Sequence, residues 1–419
     1  MNIEKLYGIY LQNPSISTDT RNIKKGDIFF ALKGNNFDGN LFIKDALDAG
    51  ATLCITDKQG SENDKVLNVE NSLSTLQNLA HYHRRQFNIP FIAVTGSNGK
   101  TTTKELISAV LNKKYKTYTT EGNLNNHIGI PLTILRIKQD AEMAVIEMGA
   151  NHLYEIESYC KIVEPTHGLI TNCGSAHLEG FGSAENIRKG KGELFDYLAL
   201  NNGTAFINKN YSYLEEMSIA VKTRIFYGKG TNVDGHVLES DLLFVKLNSG
   251  EIIKSHLVGN YNLNNIISAV AAGKHFNVGN AEIISAIENY IPSNNRSQLI
   301  LKGSNKIILD AYNANPSSMA AAIENFAASS ATHKGLILGG MKEMGSEETK
   351  EHENLISLIK KYNWDFVVLV GKEFENHMPE ALHFENAEDV KVWFSKQNFN
   401  GYSILIKGSR SNKLEKIIE

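Results

Sequence analysis

Gly96-Ser-Asn-Gly-Lys-Thr101 is the stretch of this chain whose residue types and spacing point most directly to chemistry. Its two glycines, Gly96 and Gly99, let backbone N–H groups close around phosphate oxygens. Lys100 can reach β- and γ-phosphates, and Thr101 can offer a hydroxyl to Mg²⁺. Ser97, Asn98 and Thr102 complete the loop. A short apolar run, Phe91–Val94, precedes it, and Lys104–Leu111, apolar at helical spacing, follows. Strand, loop and helix in that order place an anion at a helix N-terminus, where unpaired N–H groups and the dipole favour it. The common phosphate loop has four residues between its first glycine and the Gly-Lys pair; here there are two, Ser97 and Asn98.

Further polar residues stand at the ends of apolar runs. Glu147 ends Met143–Ile146, and His177 follows Gly168–Thr171. A carboxylate at a strand tip suits Mg²⁺, a hard cation that takes oxygen ligands and keeps waters. By residue type alone, Glu147 is equally a solvated strand end and His177 a hydrogen-bonded loop histidine. Their shared position in the sheet that carries the phosphate loop favours the metal reading. Lys191 lies in the charged helical segment Ile187–Phe195, which composition alone reads as a solvated face. Asp310 ends another apolar run, and Pro316 suits the first turn of the helix after it. Glu121–Pro131 is an Asn- and Gly-rich turn.

These residues need a framework, and the chain is long enough to supply one. Its 419 residues suit two or three domains. Hydrophobic residues make up 42% and charged ones 21%, a globular balance, and a net charge of -3 gives no sign of a nucleic-acid partner. Cys54, Cys160 and Cys173 are too far apart for a Cys-x-x-Cys metal pair, which fits a reducing cytoplasm. The N-terminus shows no signal-peptide pattern, and no uncharged apolar run reaches the ~18 residues of a bilayer span, so no membrane insertion is expected.

Apolar runs alternate with helical patterns throughout, which predicts an α/β protein of three domains. A small N-terminal α/β domain is expected over 1–88. A central domain over 89–295 should carry the phosphate loop on a largely parallel sheet, with an antiparallel segment at 233–258. A second doubly wound, Rossmann-like domain should fill 296–419. The short polar stretch 292–297 is the expected hinge.

The loop Thr95–Thr102 resembles the shortened ATP loop of the Mur ligases and folylpolyglutamate synthases, enzymes that form amide bonds through acyl phosphates. Ser17–Asp27 with Ala31–Gly39 resembles the uridine-diphosphate site at the N-terminus of the Mur ligases, a domain that folylpolyglutamate synthases lack. Gly122–Asn126 and Asp310–Met319 are similar to segments of the branch that adds D-alanyl-D-alanine. The Asp-Asn-Pro-Arg segment usual in the branch adding the preceding amino acid is missing.

The resemblance spans essentially the whole chain. It implies ATP-dependent ligation of D-alanyl-D-alanine to UDP-N-acetylmuramoyl-tripeptide in the cytoplasm by a monomer, with two Mg²⁺ sites. It places Thr20, Asn35, Asn36 and Phe37 near the uridine diphosphate, and Asn125 and Asn126 near the reacting phosphate. Asn262 would face adenine, Arg296 the ribose and Asp310 the nucleotide, with Asn313 and Asn315 lining a closed cleft. Thr101, Glu147, His177 and a carbamylated Lys191 would hold metal. At position 340 the family segment usually carries Asp; this chain has Gly340.

Overall fold

The computed structural model describes residues 2–60, 63–293, 295–375 and 378–419. The N-terminal apolar runs form a four-stranded parallel sheet in the order Ile16–Ser17, Ile28–Phe30, Leu53–Thr56, Val66–Asn68. Ile28–Phe30 is buried at every position, as expected for a parallel strand covered on both faces. A two-residue-per-strand hairpin, Lys33–Gly34 with Phe37–Asp38, projects from this unit. Helix Ser72–Arg84 starts where the Asn71 side chain accepts the N–H of Ser74.

That helix joins the first unit to the next. Leu6, Tyr10, Leu76 and Leu79 share one apolar core with Ile130, Ile134 and Ile146. Arg84 is buried there. Its guanidinium donates to the carbonyls of Val163 (2.6 Å), Glu164 (2.8 Å) and Phe87 (3.0 Å) and lies 3.7 Å from the centre of the Phe91 ring. His83 bridges the Tyr7 hydroxyl and the Ile137 carbonyl.

The second unit is a six-stranded, wholly parallel sheet. Its order is Thr223–Tyr227, Thr204–Asn208, His167–Ile170, Phe91–Thr95, Met143–Glu147, Thr117–Thr119. Phe91–Thr95 therefore lies inside the sheet, and the loop after it opens at the carboxyl ends of the strands, where such sheets bind ligands. Helices Lys100–Leu111 and Leu263–His275 pack on one face, Glu155–Val163 and Ala184–Leu200 on the other. The antiparallel segment expected at 233–258 is a three-stranded sheet of Gly235–Leu238, Phe244–Leu247 and Ile252–Lys254.

The third unit has a six-stranded sheet in the order Gln298–Lys302, Asn305–Asp310, Tyr402–Lys407, His333–Gly339, Phe366–Val370, Leu382–Phe384. Only the first strand is antiparallel. Its apolar core is its own; among the described residues, Leu178 and Tyr261 are the only hydrophobic ones from the preceding unit packed against it. Within the expected hinge, Asn295 (φ 58°) and Ser297 (φ 47°) are left-handed, and Asn294 lies outside the described residues. Sequence reading missed edge or near-edge strands in all three units: Ile16–Ser17 and Val66–Asn68 in the first, Thr204–Asn208 and Thr223–Tyr227 in the second, Gln298–Lys302 and Leu382–Phe384 in the third. No helix among the described residues is long and apolar enough to cross a membrane.

Replacing Arg84 removes three charge-assisted hydrogen bonds, two of which, to the Val163 and Glu164 carbonyls, tie the first two units together. Arg84→Ala is expected to lower unfolding free energy by about 3 kcal/mol. Urea unfolding monitored by tryptophan-independent circular dichroism checks this, and a loss under about 0.5 kcal/mol, the range of ordinary surface substitutions, would contradict it.

Candidate active site

A cleft of about 760 Å³ separates the second and third units, and the phosphate loop forms one wall. Gly99 caps helix Lys100–Leu111 at φ 79°. A Cβ on Gly96 (φ 141°) would meet the Thr171 hydroxyl, and one on Gly99 would meet the Asn265 amide, so both glycines are required by close packing as well as by conformation. The Lys100 ammonium donates to the carbonyls of Gly96 (2.7 Å) and Ser97 (3.1 Å). Burial pushes its pKa down, and the nearby Glu147 carboxylate pulls the other way. Thr101 and Thr102 are buried at the start of the helix.

An amide chain braces this loop from behind. The Thr103 hydroxyl donates to Asn265 Oδ1 (3.0 Å), Asn265 Nδ2 to Asn262 Oδ1 (2.7 Å), and Asn262 Nδ2 to the Val258 carbonyl (2.8 Å). Asn262 lines the cleft with its amide engaged at both ends.

Glu147 stands at the end of its all-buried strand and is 1% exposed. Its Oε1 accepts from Asn125 Nδ2 at 2.7 Å; its Oε2 is buried with no partner. An unpaired buried carboxylate oxygen costs several times an ordinary hydrogen bond. Glu147 and the Thr101 hydroxyl line the same cleft. Among the described residues no group of three or more His, Cys, Asp or Glu side chains could enclose a metal. The donors therefore fit Mg²⁺, which retains waters and shares substrate phosphate oxygens, better than a metal held in an all-protein cage. Asn126 also lines the cleft, its Oδ1 accepting the N–H groups of Ile128 and Gly129.

His177 reaches the cleft from a left-handed position (φ 57°), and its Nδ1 pairs with Glu343 of the third unit. That pairing holds the Glu343 carboxyl below its usual pKa. Lys191 is not on a solvated face. Arg188 and Lys189 of the same helix are exposed, but Lys191 is 1% exposed, its Nζ 3.0 Å from the Ala150 carbonyl and 5.1 Å from the Phe181 ring centre. Burial, reinforced by Lys100, lowers its pKa to about 7. Composition averages over the faces of a helix; tertiary packing chose this one. Lys191 touches the cleft through Ala150, which lines it.

The opposite wall comes from the third unit. Asp310 accepts from the buried Lys407 Nζ (2.6 Å) and from the Ser297 N–H (3.1 Å). Asn313 lines the cleft, and its carbonyl also accepts from Lys407. The Arg296 guanidinium lies 3.6 Å from the Tyr312 ring centre, with Arg410 5.0 Å from the same ring. Arg296 Nε is buried without a partner. Asn315 caps helix Pro316–Ala327 and reaches across the cleft, its Nδ2 donating to Asn98 Oδ1 at 2.7 Å; Asn98 Nδ2 donates back to Ser317 Oγ at 2.9 Å.

Four of the expected residues are elsewhere. Thr20 opens a 3₁₀ turn capped by Asp19, Asn35 and Asn36 form the exposed turn of the N-terminal hairpin, and the Phe37 ring, 54% exposed, lies over Gly34. None of them lines the cleft. Sequence reading assigned no role to Glu343, Asn265 or Ser317, although each lies in a segment it had marked. Tyr312 sat unremarked inside a segment already singled out; its contacts with Arg296 and Arg410 come from parts of the chain far from it in sequence.

A phosphate loop on a parallel sheet, faced across a polar cleft by a second α/β domain, defines a multidomain nucleotide-dependent enzyme. The comparisons narrow this. Residues 14–93 match the model for the Mur ligase family catalytic domain, 94–273 the Mur ligase middle domain, and 295–410 the Mur ligase glutamate ligase domain. The chain is 33% identical over 425 residues to the UDP-N-acetylmuramoyl-tripeptide–D-alanyl-D-alanine ligase of Bacillus subtilis, covering 96% of this chain and 92% of that one. It is 31% identical to the Escherichia coli enzyme of the same name, covering 99% and 95%. The crystal structure of MurF ligase from Thermotoga maritima in complex with ADP superposes with a TM-score of 0.86 at 27% identity, covering 97% of each chain. A MurF structure from Acinetobacter baumannii gives 0.87 at 29% identity, covering 96% and 92%. The chain belongs to the Mur ligase family.

Proposed function

We infer that this chain joins D-alanyl-D-alanine to UDP-N-acetylmuramoyl-tripeptide at the expense of ATP, in the synthesis of peptidoglycan precursor. The observation that carries this reading is the meeting of two diagnostic segments. The phosphate loop and Asp310–Asn315 face each other across one cleft and touch through Asn98 and Asn315. The full-length relatives carry the same activity in their names.

In this reading the peptide carboxylate attacks the γ-phosphorus and ADP leaves. The amine of D-alanyl-D-alanine then attacks the acyl carbon, the C–O bond to phosphate breaks, and the nitrogen loses a proton. The loop residues Gly96–Thr102 hold the phosphates, and Lys100 neutralises charge on the group in transfer, the principal task of such a site. Thr101, Glu147 and His177 would hold Mg²⁺, which would supply further neutralisation of that charge. Asn262, Arg296 and Asp310 hold the nucleotide; Asn125 and Asn126 orient the reacting groups; Asn313 and Asn315 close the cleft against water. Thr20, Asn35, Asn36 and Phe37 hold the uridine diphosphate at the N-terminal hairpin, whose exposed aromatic ring offers a stacking surface. In this reading the enzyme acts as a monomer in the cytoplasm.

A nucleotide-binding module without ligase activity would need neither an unpaired buried carboxylate at Glu147 nor a buried amine at Lys191. Incubation with ATP, Mg²⁺, UDP-N-acetylmuramoyl-tripeptide and D-alanyl-D-alanine should yield a product heavier by the dipeptide less one water. Lys100→Ala should slow its formation by about 10²-fold or more while circular dichroism stays unchanged. A folded variant with near-normal turnover contradicts the assignment of the loop.

Lys191 is proposed to carry a carbamate. Its free amine attacks CO₂, an N–C bond forms and a proton leaves, so a cation becomes an anion able to help hold Mg²⁺. Burial favours this, because only the unprotonated amine reacts and the pKa is lowered to about 7. A carbamate resonance in ¹³CO₂-equilibrated protein should therefore grow as pH rises through that value and be missing from Lys191→Ala. No resonance above it in wild-type protein contradicts the carbamate.

A further inference from the structure

Strand His333–Gly339 delivers the chain to Gly340, and its parallel neighbour Phe366–Val370 delivers it to the 3₁₀ turn Lys372–Phe374. The two loops lie side by side at the cleft end of the sheet, joined by the Gly340 N–H to the Val370 carbonyl at 3.1 Å. A Cβ built on Gly340 would stand 2.7 Å from Glu373 Oε2 and 2.8 Å from its carboxyl carbon. The Glu373 carboxylate thus occupies the space that any side chain at position 340 would fill. It is nearly buried, 10% exposed, and its Oε1 forms an ion pair with Lys342.

Lys342 is two residues beyond Gly340 and is held at its other end too. Its N–H donates to the Ser409 hydroxyl at 3.1 Å. Next comes Glu343, left-handed at φ 63°, which pairs with His177 across the cleft while its carbonyl accepts the Glu179 N–H. A left-handed glutamate is unfavourable and persists only where its surroundings impose it. The Glu373–Lys342 pair is the side-chain anchor closest to that residue in sequence. Glu373 is the nearly buried partner and Lys342 the half-exposed one, so solvent and salt screen this pair less than a fully exposed one.

We propose that Glu373 is a positioning residue of the ligase: its carboxylate takes the side-chain place of position 340, holds Lys342, and so fixes the 341–345 loop that presents Glu343 to His177. The proposal rests on the function inferred above. It makes Gly340 and Glu373 a matched pair. A glycine at 340 leaves room for the carboxylate, and a carboxylate supplied from 340 itself would start from nearly the same point and make Glu373 dispensable.

The test is a double-mutant cycle. Glu373→Ala removes the anchor, and Gly340→Asp displaces Glu373 and sets two carboxylates in one space. Each single change is expected to lower kcat by about 10-fold or more with little change in KM for ATP, whereas Gly340→Asp combined with Glu373→Ala recovers to within about 3-fold of wild type. Glu373→Gln, which keeps the shape, should fall between. A merely structural role would lower thermal stability without rescue of kcat by the relocated carboxylate. Hydrogen exchange over residues 341–350 gives a second readout that needs no ligase activity: faster exchange in each single variant, restored protection in the double. Wild-type kinetics and exchange in Glu373→Ala, or a double variant no better than the poorer single one, overturns the proposal. If wild-type protein forms no ligated product, the functional reading fails instead, and the exchange pattern still decides whether Glu373 fixes the loop.

Discussion

A carboxylate buried with one oxygen unpaired is costly, and Glu147 is in that state at the inner end of a wholly buried strand. Much of the cleft is arranged around that cost. Asn125 satisfies the other oxygen, Lys100 contributes a nearby positive charge, and Thr101 adds a hydroxyl to the same wall. A divalent cation with phosphate oxygens would complete the set. The buried amine of Lys191 belongs to the same economy of charge, since Lys100 and burial together disfavour a second cation there. The site stores unfavourable electrostatics that its substrates relieve.

The two ends of the chain relate to this site differently. The N-terminal unit shares a core with the central sheet and is fastened by Arg84 and His83, so it extends the central unit as one body. The C-terminal unit keeps its own core and meets the site through polar contacts: His177 with Glu343, and Asn98 with Asn315 and Ser317. Polar contacts across a cleft are the kind that rearrange when domains close on a ligand. Asp310 links the 292–297 stretch to the cleft, because it accepts from the Ser297 backbone and from Lys407 at once.

Much of this was legible before the structure was known. Central parallel strands are continuous apolar runs, so Phe91–Thr95, Met143–Glu147 and His167–Ile170 declared themselves, and the polar residues at their ends marked the cleft. Strands at or near the sheet edges did not. Leu382–Phe384 and Thr223–Tyr227 are half exposed and carry no long apolar run. Lys191 was misread on composition because two exposed neighbours mask a buried third; the family resemblance, not the charge pattern, singled it out. Cross-cleft pairs were illegible for a simpler reason. His177 and Glu343 are 166 residues apart, and nothing local to either signals the other.

In the proposed reaction the cleft passes a phosphoryl group to the peptide carboxylate before the amide forms. Oxygen tracing tests it most directly. With ¹⁸O in both oxygens of the tripeptide's terminal carboxylate, each turnover should deliver one labelled oxygen to the released phosphate and leave one in the new amide. Unlabelled phosphate, with amide product still forming, would contradict an acyl-phosphate route.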